Sequence, residues 1–410
     1  MIPPPFPSEA PFRVDQVMVA PALMVGIFIG QGLLALLIHI AGVQRRPRLW
    51  LAAVVCFLVS VAVFFTLASW GNSDTTRFSH YLQWDASQAP PEPLWRLLRP
   101  VLLLLPYRMA AVQGLVATGY AAVPMLLAAL WGVRQWAGWW SLLILGSPML
   151  RGFLQNAHSR QALAVLLLLP LFLHLARLIR VDRRWLGLGV MLSAITHNTF
   201  VLNLPVSLIP LLPRLPLAAP RMLVRIREMR AADWLRRWPL LLLSAGVVAL
   251  FLFVAPIAIG RFLDYTEGTP DFFSNYPVRR IVGRLQRALA FGLVLGCLQA
   301  RLDPRQLLRC PITQLLLLFG LLFMAIQVSI NVLWIPQITS RLADGVAFFQ
   351  LILYLGWLHR YRVYWCILPA LYVTLQYWLE GRLLPSGMLS CGRNDEFLCI
   401  PDRWPWQVRY

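Results

Sequence analysis

Three observations predict an all-α, polytopic membrane protein of about 12 crossings. Apolar runs of roughly 20 residues recur from end to end, and each is long enough to cross a ~30 Å hydrocarbon core. Charged residues make up only 13% of the 410 positions against 59% hydrophobic, where a soluble globular chain carries about 25% charged residues. Basic residues also collect in alternate loops, the pattern that orients membrane helices. Mean hydropathy is +0.65. A set of separate soluble domains is excluded, because no polar stretch is long enough to fold alone.

Taken in order, the apolar runs fall at 17–42, 49–70, 109–131, 137–150, 161–178, 185–198, 199–213, 239–259, 281–299, 311–333, 341–358 and 363–379. The stretch 185–213 is too long for one straight crossing and short for two. Arginine clusters flank it on both sides and belong in one compartment. It is therefore predicted as two short helices meeting at Thr196, His197, Asn198 and Thr199. The apolar piece 101–106 is too short to span and is expected in the interface. Residues 1–380 form one transmembrane domain, with outer loops at 71–108 and 260–280 and a basic inner loop at 214–238. Residues 381–410 form an extracytoplasmic tail.

Loop charge sets the orientation. All 37 basic residues are arginine, against 17 acids, for a net charge of +20. In a soluble chain that surplus would suggest nucleic acid; here it reads as a topology signal, and no nucleic acid partner is expected. Placing the turn of Arg45, Arg46 and Arg48 in the cytoplasm puts 20 arginines and four acids inside and 17 arginines and 13 acids outside. Both termini then lie outside. The proline-rich opening MIPPPFP and the long first apolar run do not read as a cleaved signal peptide.

Cys56, Cys297, Cys310 and Cys366 lie in or beside spans and read as small packing residues. Cys391 and Cys399 flank GRNDEFL in a tail assigned to the oxidising side. Their spacing there predicts a disulfide, which would stabilise by about 2–3 kcal/mol.

Ionisable groups near hydrocarbon depth are costly and mark candidate sites. They concentrate on the predicted outer side: Asp74, His80, Tyr81, Asp85 and Glu92; Arg151, His158, Arg160 and Gln161; His197 and Asn198 at the helix junction; Asp264, Glu267, Asp271, Arg279 and Arg280; and Arg341 with Asp344. Arginines suit a phosphate or pyrophosphate through charge-assisted, often paired hydrogen bonds. A carboxylate or histidine can take a proton from an attacking hydroxyl. Each residue also has a structural reading. Arg151, Arg279 and Arg280 fit snorkelling to lipid headgroups, Arg341 and Asp344 an intrahelical pair, His197 a packing histidine, and Glu92 a turn residue between prolines. With no lysine a P-loop is excluded. Neither Cys-x-x-Cys nor His-Glu-x-x-His occurs, so no metal and no cofactor is expected.

The order of these motifs resembles the EpsG family within the Wzy-like bacterial polysaccharide polymerases. An outer-loop Asp74 and Tyr81 are followed by Glu92-Pro93, then by Ser159-Arg160-Gln161 opening a span. Ser193-Ala194-Ile195-Thr196-His197 and Ser340-Arg341 complete the set. The resemblance covers about residues 15–380. It implies a fold like that of lipid-dependent, GT-C-like glycosyltransferases in the bacterial inner membrane, with an extracytoplasmic active site. The implied reaction transfers a glycan from polyprenyl pyrophosphate to a hydroxyl of another lipid-linked repeat unit, for exopolysaccharide, capsule or O-antigen. Carried over, Arg160 and Arg341 hold the pyrophosphate, His197 lies beside it and Asp74 is the candidate base. Tyr81, Glu92, His158, Gln161 and Arg280 are the further substrate-binding candidates. Flippase and chain-length regulator proteins are the implied partners, beside membrane lipids. Two other functions fit the same residues: a transporter or flippase of lipid-linked sugars, and a transferase adding a single sugar or acyl group.

Overall fold

The computed structural model describes residues 21–69, 92–105, 109–154, 158–214, 276–302, 310–332 and 336–383. Every regular element among them is a helix, and none is a strand. The main helices are α1 (Pro21–Val43), α2 (Pro47–Ser69), α3 (Pro93–Leu104), α4 (Met109–Leu130), α5 (Ala137–Gly146) and α6 (Ser159–Leu175). They continue with α7 (Arg183–Thr196), α8 (Phe200–Leu208), α9 (Tyr276–Gln299), α10 (Pro311–Val332), α11 (Pro336–Tyr361) and α12 (Leu368–Leu383). Each apolar run read from the sequence within the described residues is helical. The run 239–259, the basic loop 214–238 beyond Arg214, and Cys391 and Cys399 lie outside the described residues.

Among the described residues, four segments are long and apolar enough to cross a membrane: Gly26–Val43, Pro47–Leu67, Met109–Leu130 and Leu342–Tyr361. They mark the chain as a membrane protein. Their burial grades from edge to centre. Only 22% of the α1 window is buried inside the protein, against 89% of the α11 window. α11 is thus the central helix, and α1 turns Ile29, Leu33 and Leu36 outward. Helix α5 has 10 residues and rises about 15 Å. A 3₁₀ turn at Pro148–Leu150 and a helical turn at Arg151–Leu154 continue it.

Local sequence explains the boundaries. Proline is the first residue of α1, α2, α3, α10 and α11, where its missing N–H costs no intrahelical bond. Asp182 caps α7, its Oδ1 accepting from the Arg184 N–H at 2.9 Å. Of the 101–106 piece expected to lie in the interface, residues 101–104 are the last turn of a longer helix that starts at Pro93. Trp95 and Leu102 of α3 face inward while Leu97, Val101 and Leu104 are exposed, as an amphipathic interfacial helix requires.

Helices pack through small residues, as membrane helices do. At Gly114 a Cβ would overlap Thr66 Oγ1 and approach the Ala62 carbonyl oxygen to 2.5 Å, so α4 lies directly on α2. Around α11, Phe349 stacks on Phe172 of α6 at 4.3 Å and Phe348 meets Tyr120 of α4 at 4.4 Å. The Tyr120 hydroxyl donates to the Ala162 carbonyl at 3.0 Å. Gln286 of α9 and Gln350 of α11 exchange amide hydrogen bonds of 2.8 and 2.9 Å, satisfying the buried Gln350 and its half-buried partner.

Five helices, α1, α4, α6, α9 and α11, end in the same way. A residue one or two positions past the last helical residue has positive φ: Arg45 (53°), Gly132 (72°), Arg177 (58°), Arg301 (50°) and Arg362 (57°). The next N–H then returns five residues, from Arg46 to Ala41, Val133 to Ala128, Leu178 to Leu173, Leu302 to Cys297 and Val363 to Leu358, at 2.8–3.1 Å. This is the Schellman closure, which favours glycine at the left-handed position. Among the described residues, every non-glycine with positive φ is one of these arginines. Each costs roughly 1–2 kcal/mol relative to a right-handed conformation.

Contacts join all five closures at one end of the bundle. Trp50 Nε1 donates to the Arg134 carbonyl at 3.1 Å, and Trp131 Nε1 donates to the Leu178 carbonyl at 3.4 Å. Trp131 stacks on His359 at 4.7 Å. The Cys366 thiol donates to Gln299 Oε1 at 3.6 Å, joining the α9 and α11 ends. These turns all fall in segments that loop charge assigned to the cytoplasm.

Candidate active site

At the opposite end lie the first turn of α6 and the junction between α7 and α8. The Glu92-Pro93 pair shapes the approach. A residue before proline is pushed out of the helical region, and Glu92 is extended (φ −74°, ψ 125°) with Pro93 opening α3. Its carboxylate does not cap α3. It turns instead to Arg160, whose Nη1 donates to Glu92 Oε1 at 2.9 Å and Oε2 at 3.0 Å. The Glu92 side chain is 1% exposed and that of Arg160 is 26% exposed. The carboxylate therefore sits beneath, and the guanidinium is the member of the pair that reaches the surface.

His197 adjoins the same carboxylate, with Nε2 3.9 Å from Glu92 Oε1. It lies where α7 stops, in extended backbone (φ −161°, ψ 142°). Its other nitrogen, Nδ1, accepts the Thr199 backbone N–H at 3.1 Å and lies 2.8 Å from Thr199 Oγ1. A backbone N–H can only donate, so Nδ1 is an acceptor and the proton of the neutral ring resides on Nε2. The junction thus fixes the tautomer of the neutral ring, with Nε2–H at 3.9 Å from Glu92 Oε1.

Several residues support the cluster, of which Trp95 and Gln113 were not singled out in the sequence, whereas Ser159 and Ser193 stood in its motifs. Trp95, 1% exposed, donates from Nε1 to the Thr196 carbonyl at 2.8 Å, pinning α3 to the end of α7. Gln113 is fully buried. Its Nε2 donates to the Phe153 and Leu154 carbonyls at 2.7 and 3.1 Å, and its Oε1 accepts from Ser159 Oγ at 2.7 Å. It thereby ties the Arg151–Leu154 turn to the start of α6. Ser193 Oγ donates to the Ala164 carbonyl at 2.8 Å, holding α7 along α6. A polar Gln113 inside an apolar run was the available signal, since such residues are costly in a span. Trp95 carried no comparable mark, and Thr199 was marked only as part of the helix junction.

The other candidates fall in three groups. His158 occupies the position before α6 and Gln161 is buried in its first turn. Asp74 and Tyr81 lie outside the described residues. Arg341 and Arg280 are placed by their helices. A Cβ on Gly345 would overlap Asn203 Oδ1 of α8 and lie 3.7 Å from Val165 of α6. Further along, Phe349 stacks on Phe172 and Gly356 packs on Leu178, so α6 and α11 run in the same direction. Arg341, one turn before Gly345, therefore has its backbone level with the first turn of α6, where Arg160 lies. Gln286 pairs with Gln350, while Gly292 packs on Tyr354 and Gly296 on Trp357. α9 therefore also runs with α11, and the Arg280 backbone falls about level with Asp344.

Chemically, the arrangement offers a partly exposed guanidinium held by a buried carboxylate, and a histidine N–H beside it. Such a pair of donors can bind an anionic oxygen. Neither family models, nor curated proteins, nor solved structures give a match to this chain.

Proposed function

We infer that this chain is a membrane glycosyltransferase that polymerises polyprenyl-pyrophosphate-linked oligosaccharide units. It would act at the extracytoplasmic face of a bacterial inner membrane, through a bundle of about 12 crossings like that of GT-C-type enzymes. The observation that carries this reading is the Glu92–Arg160–His197 cluster at the bundle end opposite the arginine closures. If the arginine end is cytoplasmic, the cluster faces the compartment where lipid-linked repeat units are joined. The EpsG and Wzy-like resemblance of Arg160, His197 and Arg341 falls on this same end.

In the reaction, an acceptor sugar hydroxyl attacks the anomeric carbon of the donor glycan. The C–O bond to pyrophosphate breaks, the polyprenyl pyrophosphate leaves with the electron pair, and the hydroxyl proton passes to a base. Arg160, with Arg341 one helix away, neutralises charge growing on the leaving pyrophosphate. His197, protonated on Nε2, donates to a phosphate oxygen, and Asp74 is the base. Glu92 acts by orienting Arg160 and does not itself touch the substrate.

The test is a clean deletion in the native host, with the surface glycan and the polyprenyl-linked pool sized together. Loss of long chains with build-up of single lipid-linked repeats on the outer leaflet is the expected result. Full-length chains lacking one substituent would make the protein a decorating transferase instead. A second reading, a flippase of lipid-linked sugars, draws on the α7–α8 junction, because transporters place broken helices at their binding sites. Repeats trapped on the inner leaflet would select it.

A further inference from the structure

Four of the five Schellman closures place arginine where glycine is the favoured residue. The choice recurs in α1, α6, α9 and α11, where the turns read VQRRP, ARLIR, ARLDP and YRVYW; the second and third share Ala-Arg-Leu, and arginine is what all four have in common at the left-handed position. Local structure gains nothing from it, since glycine would relieve the backbone strain at each position. Helix polarity explains a part, because a cation at the C-terminus meets the negative end of the dipole. Arginines at ordinary φ in the same turns, such as Arg46 and Arg360, can already serve that purpose.

The surroundings identify what else these arginines meet. Arg45, Arg177, Arg301 and Arg362 are all exposed. The described parts of these turns carry one acid, Asp182, against a ring of exposed arginines. Trp185 and Trp365, just beyond two of the closures, are 64% and 60% exposed. Exposed indoles beside a helix end are placed at the headgroup level of a bilayer. Guanidinium groups at that depth meet phosphodiesters, which they bind with paired hydrogen bonds.

We propose that this end of the bundle is a binding surface for the phosphates of anionic lipids in the leaflet it faces, with Arg45, Arg177, Arg301 and Arg362 as its principal ligands. The left-handed positions hold the four guanidinium groups at the rim, one at each closure but that of α4, so that a layer of anionic headgroups bridges neighbouring helix ends. The surface lies at the end remote from Arg160 and does not depend on what that site does.

The test uses the full-length protein in a neutral detergent, with phosphatidylglycerol or phosphatidylcholine added in mixed micelles and Tm recorded. Two variants carry four substitutions each, all four arginines to Gly or all four to Gln. Glycine removes both charge and strain; glutamine removes the charge and keeps the strained backbone. Native protein should gain Tm with phosphatidylglycerol, and neither phosphatidylcholine nor inorganic phosphate at equal ionic strength should reproduce the gain. Both variants should lose at least half of that gain, and the Gly variant should match or exceed the native Tm without lipid. A full phosphatidylglycerol effect in either variant would overturn the proposal. So would an equal effect of inorganic phosphate on native protein. A control replacing Arg46, Arg48, Arg180 and Arg360 by Gln should keep most of the gain; losing as much as the principal set would reduce the surface to bulk charge and overturn the assigned ligands.

Discussion

Trp95 and Thr196, 101 positions apart, are joined by an indole N–H that donates to the helix-terminal carbonyl at 2.8 Å. The bond fixes the spacing between the chain segment bearing Glu92 and the junction bearing His197. Trp95→Phe keeps most of the buried ring and orphans the carbonyl. Such a loss costs about 1–3 kcal/mol. The expected result is a lower Tm in detergent together with shortened polymer at normal protein level. An unchanged Tm would mean that the carbonyl finds another donor and that the two segments are held elsewhere.

Glu92 is buried under Arg160 and accepts from it with both oxygens. Glu92→Gln is nearly isosteric but removes the charge and one acceptor, leaving the guanidinium without its fixed counter-charge. Because Arg160 is partly exposed, solvent screens much of the stability loss. The main effect should fall on polymer formation, with only a small change in Tm. Arg160→Lys should be equally damaging, because a single ammonium cannot match the forked donor geometry. Wild-type polymer in both variants would remove this pair from the site.

His197 can be assigned a role by the pair His197→Gln and His197→Ala. Its Nδ1 accepts the Thr199 N–H, so in the neutral ring the other nitrogen, Nε2, carries the proton. A glutamine amide can donate a hydrogen bond from a similar position but cannot accept a proton at neutral pH. Polymer retained in the Gln variant and lost in the Ala variant is the expected outcome. Equal loss in both would return His197 to the role of base, and the tautomer argument would fail.

Much of this fold was legible because membrane helices are written in composition. The apolar runs located the main described helices apart from α3, of which only 101–106 was read, and the conflict between length and flanking arginines at 185–213 located the junction at His197. The Glu92 and Arg160 signals were legible separately, since both are charges at the edges of apolar segments. Their pairing was not, because 68 positions separate them and only the packing of α3, α6 and α7 brings them together. The turns show the opposite case. Arginine in a loop reads from sequence as a topology signal, whereas its left-handed backbone reads from nothing in the composition. Gln113 and Trp95 were hidden because an isolated polar atom in an apolar run reveals its partner only when the neighbouring carbonyls are placed.

Gly345 leaves the space that Asn203 Oδ1 fills, while Asn203 Nδ2 donates to the Thr199 carbonyl at 3.0 Å. The contact seats α11 against α8 one turn below the junction. Gly345→Ala should overpack it at a cost of about 1–3 kcal/mol. Asn203→Ala removes the obstacle, so the double variant should recover part of the loss as a measurable coupling between the two positions. Strict additivity of the two effects in thermal unfolding would show that the helices do not meet there.

The same contact sets the register that carries Arg341 to the level of Arg160. A chain in which Arg160→Cys and Arg341→Cys are combined, with the native cysteines replaced by serine, should form an intramolecular cross-link with a short bifunctional maleimide. Arg177→Cys with Arg341→Cys is the control, since α6 separates positions 160 and 177 by about 25 Å along its axis. Mobility in denaturing gels after site-specific cleavage distinguishes linked from unlinked chains. A link in the control pair, or none in the first pair, would break the parallel register of α6 and α11. The two arginines would then not share one pyrophosphate, and Arg160 would have to act with a different cation.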